Sequence, residues 1–521
     1  MSTPDSNVFP LTDLPQHILY EICSQFCLHC RGELKPEKGV GTPHQHRRRR
    51  PPQKPYHTSW YSLDKNALLS LTLSCKYIHS ISEGFLYHEF APGYGDSDLS
   101  KYFTFDSRLN QFMRTIGQRK DLAQKVRMIF IHHKHSHMPE IKETIASLKQ
   151  GASDLGIDIA AAWQRRVNET LGSTDWRGRH ILQNYHYMLT TAFTDQIFEE
   201  QHELLFKETE EMWEDLHHEL TPMLITLLPR LEHIILPMHT AWQGPLEKDD
   251  PFKALGIEQF PHLRTLEIKS ESHAMVYKAP NLKELDLLCK FASPLEIEPS
   301  FSQRSQISTF RITMMRLGSE YVIGSLPFAS KNLRSFVYEA DNESVMRLNT
   351  FTAEDIVTIL HDYHQTLETL HLDFRGTLND EAIGAIYTPD FTLREFECLR
   401  HVFLNTAILF NVARNLEGSD SSFSDESDSP SDNMEDAISR RLPSSIVSLH
   451  LAYDKAAIND IEQGLRGLAT AKREEDGRFE NLGYIGFHYY NGTCRLSGAV
   501  HRSMRAAGIE FVYETWPISS L

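Results

Sequence analysis

Leu228–Leu236 reads LPRLEHIIL, Phe260–Ile268 reads FPHLRTLEI and Ala279–Leu287 reads APNLKELDL. Superimposed, the three share a proline-led turn followed by apolar, two residues, apolar, one residue, apolar. The last two apolar positions are two apart, the period of a strand with one buried face. The signature recurs as Val126-Ile129-Ile131, Leu231-Ile234-Leu236, Leu263-Leu266-Ile268, Leu282-Leu285-Leu287 and Ile307-Phe310-Ile312. It continues as Leu333-Phe336-Tyr338, Leu367-Leu370-Leu372, Leu399-Val402-Leu404, Ile446-Leu449-Leu451 and Leu482-Ile485-Phe487. One copy says little. Ten copies predict a stack of short parallel strands, each too small to bury its own apolar face and each completing its neighbour's core. Ile509-Phe511-Tyr513 alternates as a closing strand.

The stacking is irregular, because from Leu231 onward the copies are separated by 19 to 47 residues. The residue between the two apolar strand positions faces the other way. Read along the copies, that position is Phe130, Ile235, Glu267, Asp286, Arg311, Val337, His371, Phe403, His450 and Gly486, with His233, His401, Tyr484 and His488 beside it. Aromatic and imidazole groups gather toward the C-terminal half, as on protein-binding surfaces. Arg311, His371, Phe403, His450 and Tyr484 are the expected target-binding residues on a concave face.

Ahead of the repeats lie two pieces of a helical module. Phe9–Cys23 reads FPLTDLPQHILYEIC and Ala67–Phe90 reads ALLSLTLSCKYIHSISEGFLYHEF. Thr12 or Asp13 can cap a helix, and Pro15 suits its first turn, where a missing N–H costs nothing. Ile18, Leu19, Ile22, Cys23 and Phe26 form a wide apolar stripe. Helices expected at 66–74 and 77–86 supply partners in Leu68, Leu71, Ile78, Ile81, Phe85 and Leu86. So small a module cannot bury every apolar side chain, and the excess suggests an interface.

The order Leu14-Pro15, then Ile18-Leu19-Tyr20-Glu21-Ile22, then Leu71-Thr72-Leu73-Ser74-Cys75-Lys76 resembles an F-box, specifically that of fungal proteins with leucine-rich repeats behind it. The resemblance implies an α/β chain: a helical F-box at 9–90, with a Cys/His/Arg-rich insertion at about 27–60, followed by an irregular leucine-rich-repeat solenoid with parallel strands. The first solenoid strand and a helical segment occupy 120–228, and the solenoid proper runs over 229–516 with a disordered acidic loop at 417–438. It further implies a substrate receptor of a cullin-type (SCF) ubiquitin ligase. Pro10, Leu14, Pro15, Ile18, Leu19, Ile22, Leu69 and Leu73 would contact a Skp-type adaptor and, through it, a cullin. The target protein stays unidentified. The alternative is a repeat scaffold unconnected to ubiquitination, with the helices only a cap.

The insertion holds Cys27-x-x-Cys30 with His29 between and His44, His46 and His57 beyond. Zinc needs four such donors, but His44-x-His46 is tighter than the usual spacing and no second cysteine pair follows. Cys27 is therefore read as extending the helix face, Cys30 and the histidines as loop, and no metal or cofactor is expected. Arg47–Arg50 and the His132–His137 cluster are read as solvated loops. His202-Glu203-Leu204-Leu205-Phe206 lacks the second histidine of a zinc-protease helix.

A net charge of −17 argues against nucleic-acid binding, and Glu417–Asp436 carries eight acidic residues and no basic one. That tract is too polar and charged to pack. The longest apolar run is too short to span a membrane, and seven cysteines without a leader pattern suggest cytosol or nucleus. Phosphate loops and nucleophile elbows are missing from the sequence, so no enzyme is expected.

Overall fold

A computed structural model describes residues 10–32, 60–92, 108–131, 141–171, 219–236, 250–269, 273–289, 306–314, 331–340, 352–373, 391–410, 434–453, 457–474, 477–489 and 495–515. They fall into two compact units that divide between Leu282 and Lys283, inside the 229–516 segment rather than at its start. The protein is mixed α/β, and its strands are parallel throughout.

The N-terminal unit opens with helices α1 (Gln16–Ser24), α2 (Leu28–Arg31), α3 (Trp60–Ser74) and α4 (Lys76–Leu86). Pro15 stands at the N-cap of α1. Leu19 and Cys23, one turn apart, meet Cys27, Leu68, Ile81 and Phe85 in a buried core, with Leu14, Phe26 and Leu86 packed on it. The expected second helix begins at Trp60, six residues before 66. Tyr61 is drawn into a separate core with Leu28, Ala91, Met128, Phe130 and Ile235, and Asp64 lies within the helix, 2.9 Å from Arg31. That core joins the helices to the strands.

Strands β1 (Glu89–Phe90), β2 (Met128–Phe130), β3 (His233–Ile235) and β4 (Thr265–Lys269) follow, paired in sequential order. The sequence reading missed β1, assigning Phe90 to the helical module; its two residues pair with Met128 and Ile129. Helices α5 (Arg108–Gln118), α6 (Lys120–Ala123), α7 (Ile141–Leu155), α8 (Ile159–Leu171), α9 (Leu220–Leu227), α10 (Pro251–Ala254) and α11 (His273–Tyr277) belong to the same unit. Arg166 and Glu219 form a buried ion pair at 2.9 Å.

The C-terminal unit holds β5 (Glu284–Cys289), β6 (Thr309–Met314), β7 (Ser335–Ala340), β8 (Thr369–Asp373), β9 (His401–Asn405), β10 (Ser448–Ala452), β11 (Tyr484–Tyr489) and β12 (Glu510–Thr515), again in sequential order. Its helices are α12 (Ala353–Leu360), α13 (Thr406–Leu409), α14 (Ile458–Arg473) and α15 (Gly498–Ala506).

One device enters most strands. A turn closes on the first apolar position, as Leu263 N–H donates to Phe260, Leu282 to Ala279, Leu399 to Phe396 and Leu482 to Phe479. The next two N–H groups then donate to a single carbonyl of the preceding repeat. Glu232 and His233 donate to Arg127, Ser308 and Thr309 to Lys283, Arg334 and Ser335 to Ser308, Glu368 and Thr369 to Arg334, and Arg400 and His401 to Glu368. The three apolar positions of each copy are buried.

Several expectations fall on other residues: His44, His46 and His57, Arg47–Arg50, His132–His137, His202–Phe206 and most of the acidic tract lie outside the described residues. The far end of the tract differs from its reading. Met434–Asp436 form a 3-10 turn, and Ala437 and Ile438 are buried, Ile438 lying with Phe410 against Gly464 of α14. Among the described residues, no helix is long and apolar enough to cross a membrane.

A close approach in this region generates a test. A Cβ on Gly467 of α14 would stand 1.8 Å from the Glu435 carbonyl oxygen. Alanine gains up to about 1 kcal/mol over glycine in an exposed helix, but backbone cannot yield as a side chain does. Gly467→Ala is expected to lower the urea midpoint; an unchanged or raised midpoint would refute this packing.

Candidate functional site

Three groups of residues carry chemistry beyond packing. The first is the outer face of the N-terminal helices. Leu19 and Cys23 of α1 point inward, whereas Ile18 and Tyr20 are exposed. On α3, Leu68 and Thr72 are buried while Leu63, Leu69 and Leu73 are exposed, the last two by 42% and 73%. Leu69 and Leu73 are one turn apart and so share a face. With Leu11 and Tyr77, these helices hold seven of the nine large apolar side chains exposed among the described residues. Of the expected adaptor contacts, Pro10, Pro15, Ile18, Leu69 and Leu73 are exposed, and Leu14 and Ile22 are half-buried. Leu19 is a correction: it sits inside the helical core, because the 19–23 stripe is the face that α1 turns to Leu68, Ile81 and Phe85.

The second group crosses the C-terminal strands. Register aligns Asp286, Arg311, Val337, His371, Phe403, His450, Gly486 and Val512 in one row. This is the row that the repeat spacing predicts. Its exposure is not as expected. Of the expected target contacts, Arg311, His371 and Phe403 are buried, and His450 and Tyr484 are part-exposed. The reason is mutual stacking: the His371 and Phe403 rings lie 3.9 Å apart at 14°, and His488 leans on Phe403 at 5.3 Å. Parallel register places like side chains side by side, so each ring covers the next.

At the open end of the row, His450 Nδ1 and His488 Nε2 hydrogen-bond at 2.9 Å. Gly486 makes room for them, since a Cβ there would stand 2.7 Å from His450 Nδ1. Glu514 Oε2 lies 3.1 Å from His488 Nε2 and 3.7 Å from His450 Nδ1, and the Tyr484 hydroxyl donates to Oε1. Hydrogen bonding to His450 first, then to Tyr484, with the charge of His488, pulls the Glu514 pKa down to about 2 against the cost of burial. Burial and the acceptor carboxylate push Tyr484 up. His401, with Ser448 Oγ at 2.8 Å from its Nδ1, is held below the usual histidine value by burial and by the charge of His450. The cluster offers a half-exposed imidazole, a phenol and a carboxylate within reach of one another, suited to anchoring a polar group of a partner. Glu514 escaped the sequence reading. It is two residues beyond Val512 on the same strand face, and extending the period-two reading of the last strand would have reached it.

The third group lies in the N-terminal unit. Cys27 caps α2, Cys30 and His29 sit within that helix, and His88 follows α4 just before β1. Cys30 and the neighbouring histidine are thus helical, not loop, because Leu28 is anchored in the core beside Tyr61 and Gly32, at φ 66°, ends the helix just beyond them. One donor atom from each of Cys27, His29, Cys30 and His88 comes within 4.8 Å of all the others. Cys30 Sγ is 3.3 Å from His88 Nδ1 and 3.8 Å from His29 Nδ1, and Cys27 Sγ is 3.9 Å from His88 Nδ1. Glu89 Oε2 accepts from His29 N–H at 3.0 Å and from the Cys27 thiol, while its Oε1 pairs with Lys65 Nζ at 2.7 Å. Hydrogen bonding with Cys30, then burial, pushes Cys27 up to about 12, and the same bond holds Cys30 below the usual thiol value. Sequence spacing missed His88 because 58 residues separate it from Cys30.

No protein-family model and no curated protein matches this chain.

The Glu514 cluster yields a pH test. Its pKa is depressed from an ordinary 4.5 to about 2, so its contribution is full above pH 4.5 and is lost as pH falls through about 2. Because its side chain is 34% exposed, the contribution is discounted for solvent screening to about 1 kcal/mol. Glu514→Gln is expected to lower the unfolding free energy from urea titration by that amount at pH 6, with the gap closing toward pH 2. A gap that does not change with pH would remove the ion-pair account.

Proposed function

We propose that this chain is the substrate receptor of a cullin-type ubiquitin ligase, with α1, α3 and α4 acting as an F-box on a Skp-type adaptor. The observation that carries the reading is the placement of exposed apolar side chains: seven of the nine among the described residues sit on this small helical module. Water-exposed apolar surface concentrated on one element is what an interface requires. Leu69 and Leu73, presented one turn apart by a helix whose opposite face is fixed by Leu68, form a preorganised contact.

Behind the module, the sequential parallel strands support an irregular leucine-rich-repeat solenoid as the recognition body. His450, Tyr484 and Glu514 are the part-exposed polar residues at which a target would dock. On this reading the chain performs no chemistry itself. It raises the effective concentration of a target beside the ubiquitin-carrying enzyme, in the cytosol or nucleus.

The test is capture of a purified Skp-type adaptor by the intact chain and by a Leu69→Glu/Leu73→Glu double variant. Both side chains are exposed, so the thermal midpoint should not move. Burying each leucine is worth roughly 1.5–3 kcal/mol, so the variant should bind about 100-fold more weakly or worse. Equal capture by both chains, or no capture by either, defeats the proposal and leaves a repeat scaffold.

A further inference from the structure

We propose that Cys27, Cys30, His88 and His29 together bind one zinc ion, a structural site that ties the N-terminal helices to the first strands. The inference uses none of the residues that carry the adaptor reading.

The donor set is the first ground. Two thiolates and two imidazoles are the composition of a closed, four-coordinate zinc site, and the two thiolate charges neutralise the metal. With Zn–S near 2.3 Å and Zn–N near 2.0–2.1 Å, tetrahedral ligation sets S···N separations at about 3.6 Å. The three sulfur–nitrogen distances given above are 3.3, 3.8 and 3.9 Å, which bracket that value. The Cys27-x-x-Cys30 spacing is what a single helical turn needs to bring both sulfurs to one side, and α2 supplies that turn.

The surroundings are the second ground. A metal-bound histidine ordinarily presents its other ring nitrogen to a carboxylate, which fixes the tautomer and orients the ring. His29 is placed for this: its Nδ1 faces Cys30, and its Nε2 lies 3.8 Å from Glu232 Oε2, an ion-pair separation that a small ring rotation would close to a hydrogen bond. Glu232 is held in turn by Arg127 at 3.5 Å. The nearest other carboxylate, Glu89, is engaged by Lys65 and by the His29 backbone and accepts from the Cys27 thiol, whose proton zinc would displace, so it orients the α2 turn rather than adding a fifth ligand. Cys27 is fully buried within the helical core, which screens one side of the site from water.

The connectivity gives the ion its role. Its ligands come from α2 and from the turn between α4 and β1, and its outer carboxylate comes from the entry to β3. All four coordination positions are filled by protein, so no site is left for substrate, and the metal acts as a cross-link. Its binding energy becomes stability of the helical module against the strands.

The experiment uses the full chain, purified under reducing conditions. Elemental analysis should find about one zinc per chain, the stoichiometry of a single closed site. Stripping with a chelator and adding cobalt should produce the visible absorption of a tetrahedral ion together with thiolate-to-cobalt charge transfer. Cys30→Ser and His88→Ala should each abolish both signals, and the cobalt titration of the unmutated chain stands even where a variant fails to fold. Glu232→Gln should retain the site but weaken zinc roughly tenfold in chelator competition. A triple variant of His44, His46 and His57 to alanine should bind as the parent does. Zinc absent from the chain together with an octahedral cobalt spectrum, a Cys27–Cys30 disulfide under reducing conditions, or loss of metal in the triple variant would each overturn the assignment.

Discussion

A parallel strand cannot satisfy its own backbone, and that constraint governs this protein. Most strands enter with two successive N–H groups aimed at one carbonyl of the repeat before them, as with Glu368 and Thr369 on Arg334 and then Arg400 and His401 on Glu368. No repeat is complete until its neighbour is placed. The apolar triplets follow the same logic, since Leu370, Val402 and Leu449 are buried by one another's repeats. The connections are freed from this duty, so the segment between β9 and β10 tolerates a long acidic tract while His401 still pairs with Ser448.

The same register creates the chemistry. Residues that alternate away from the apolar face are stacked strand by strand, so His371, Phe403, His450 and His488 converge without any motif in the sequence. Stacking also consumes exposure. An imidazole flat against a phenyl ring at 3.9 Å has little surface left for a partner, and only the last members of the row, near Glu514, reach solvent. Gly486 marks the transition, because its missing side chain is what lets two imidazoles share the space.

In the N-terminal unit, buried charge fixes the helices in place. Glu89 begins β1 yet reaches the α2 backbone and Lys65 of α3, so one carboxylate ties three elements together. Losing one partner of such a buried pair typically costs about 3–5 kcal/mol. With the inner face held this firmly, the leucines on the outer face are left to water.

The sequence by itself determined the strands from β2 to β12, their parallel order and the residues of the register row, because periodicity is a local property and ten copies overcome the weakness of one. It also determined that the N-terminal helices have more apolar surface than they can bury. What it could not decide was which side of that surface faces out. Leu19 was read as a contact and is core, because only the arrival of Leu68, Ile81 and Phe85 selects the inner face of α1. It equally could not bring His88 and Glu232 to Cys27-x-x-Cys30, or Glu514 to His450 and His488. Those meetings join residues from tens to about two hundred positions apart, and no spacing rule encodes them. Only the packed structure shows that three elements deliver their side chains to one point.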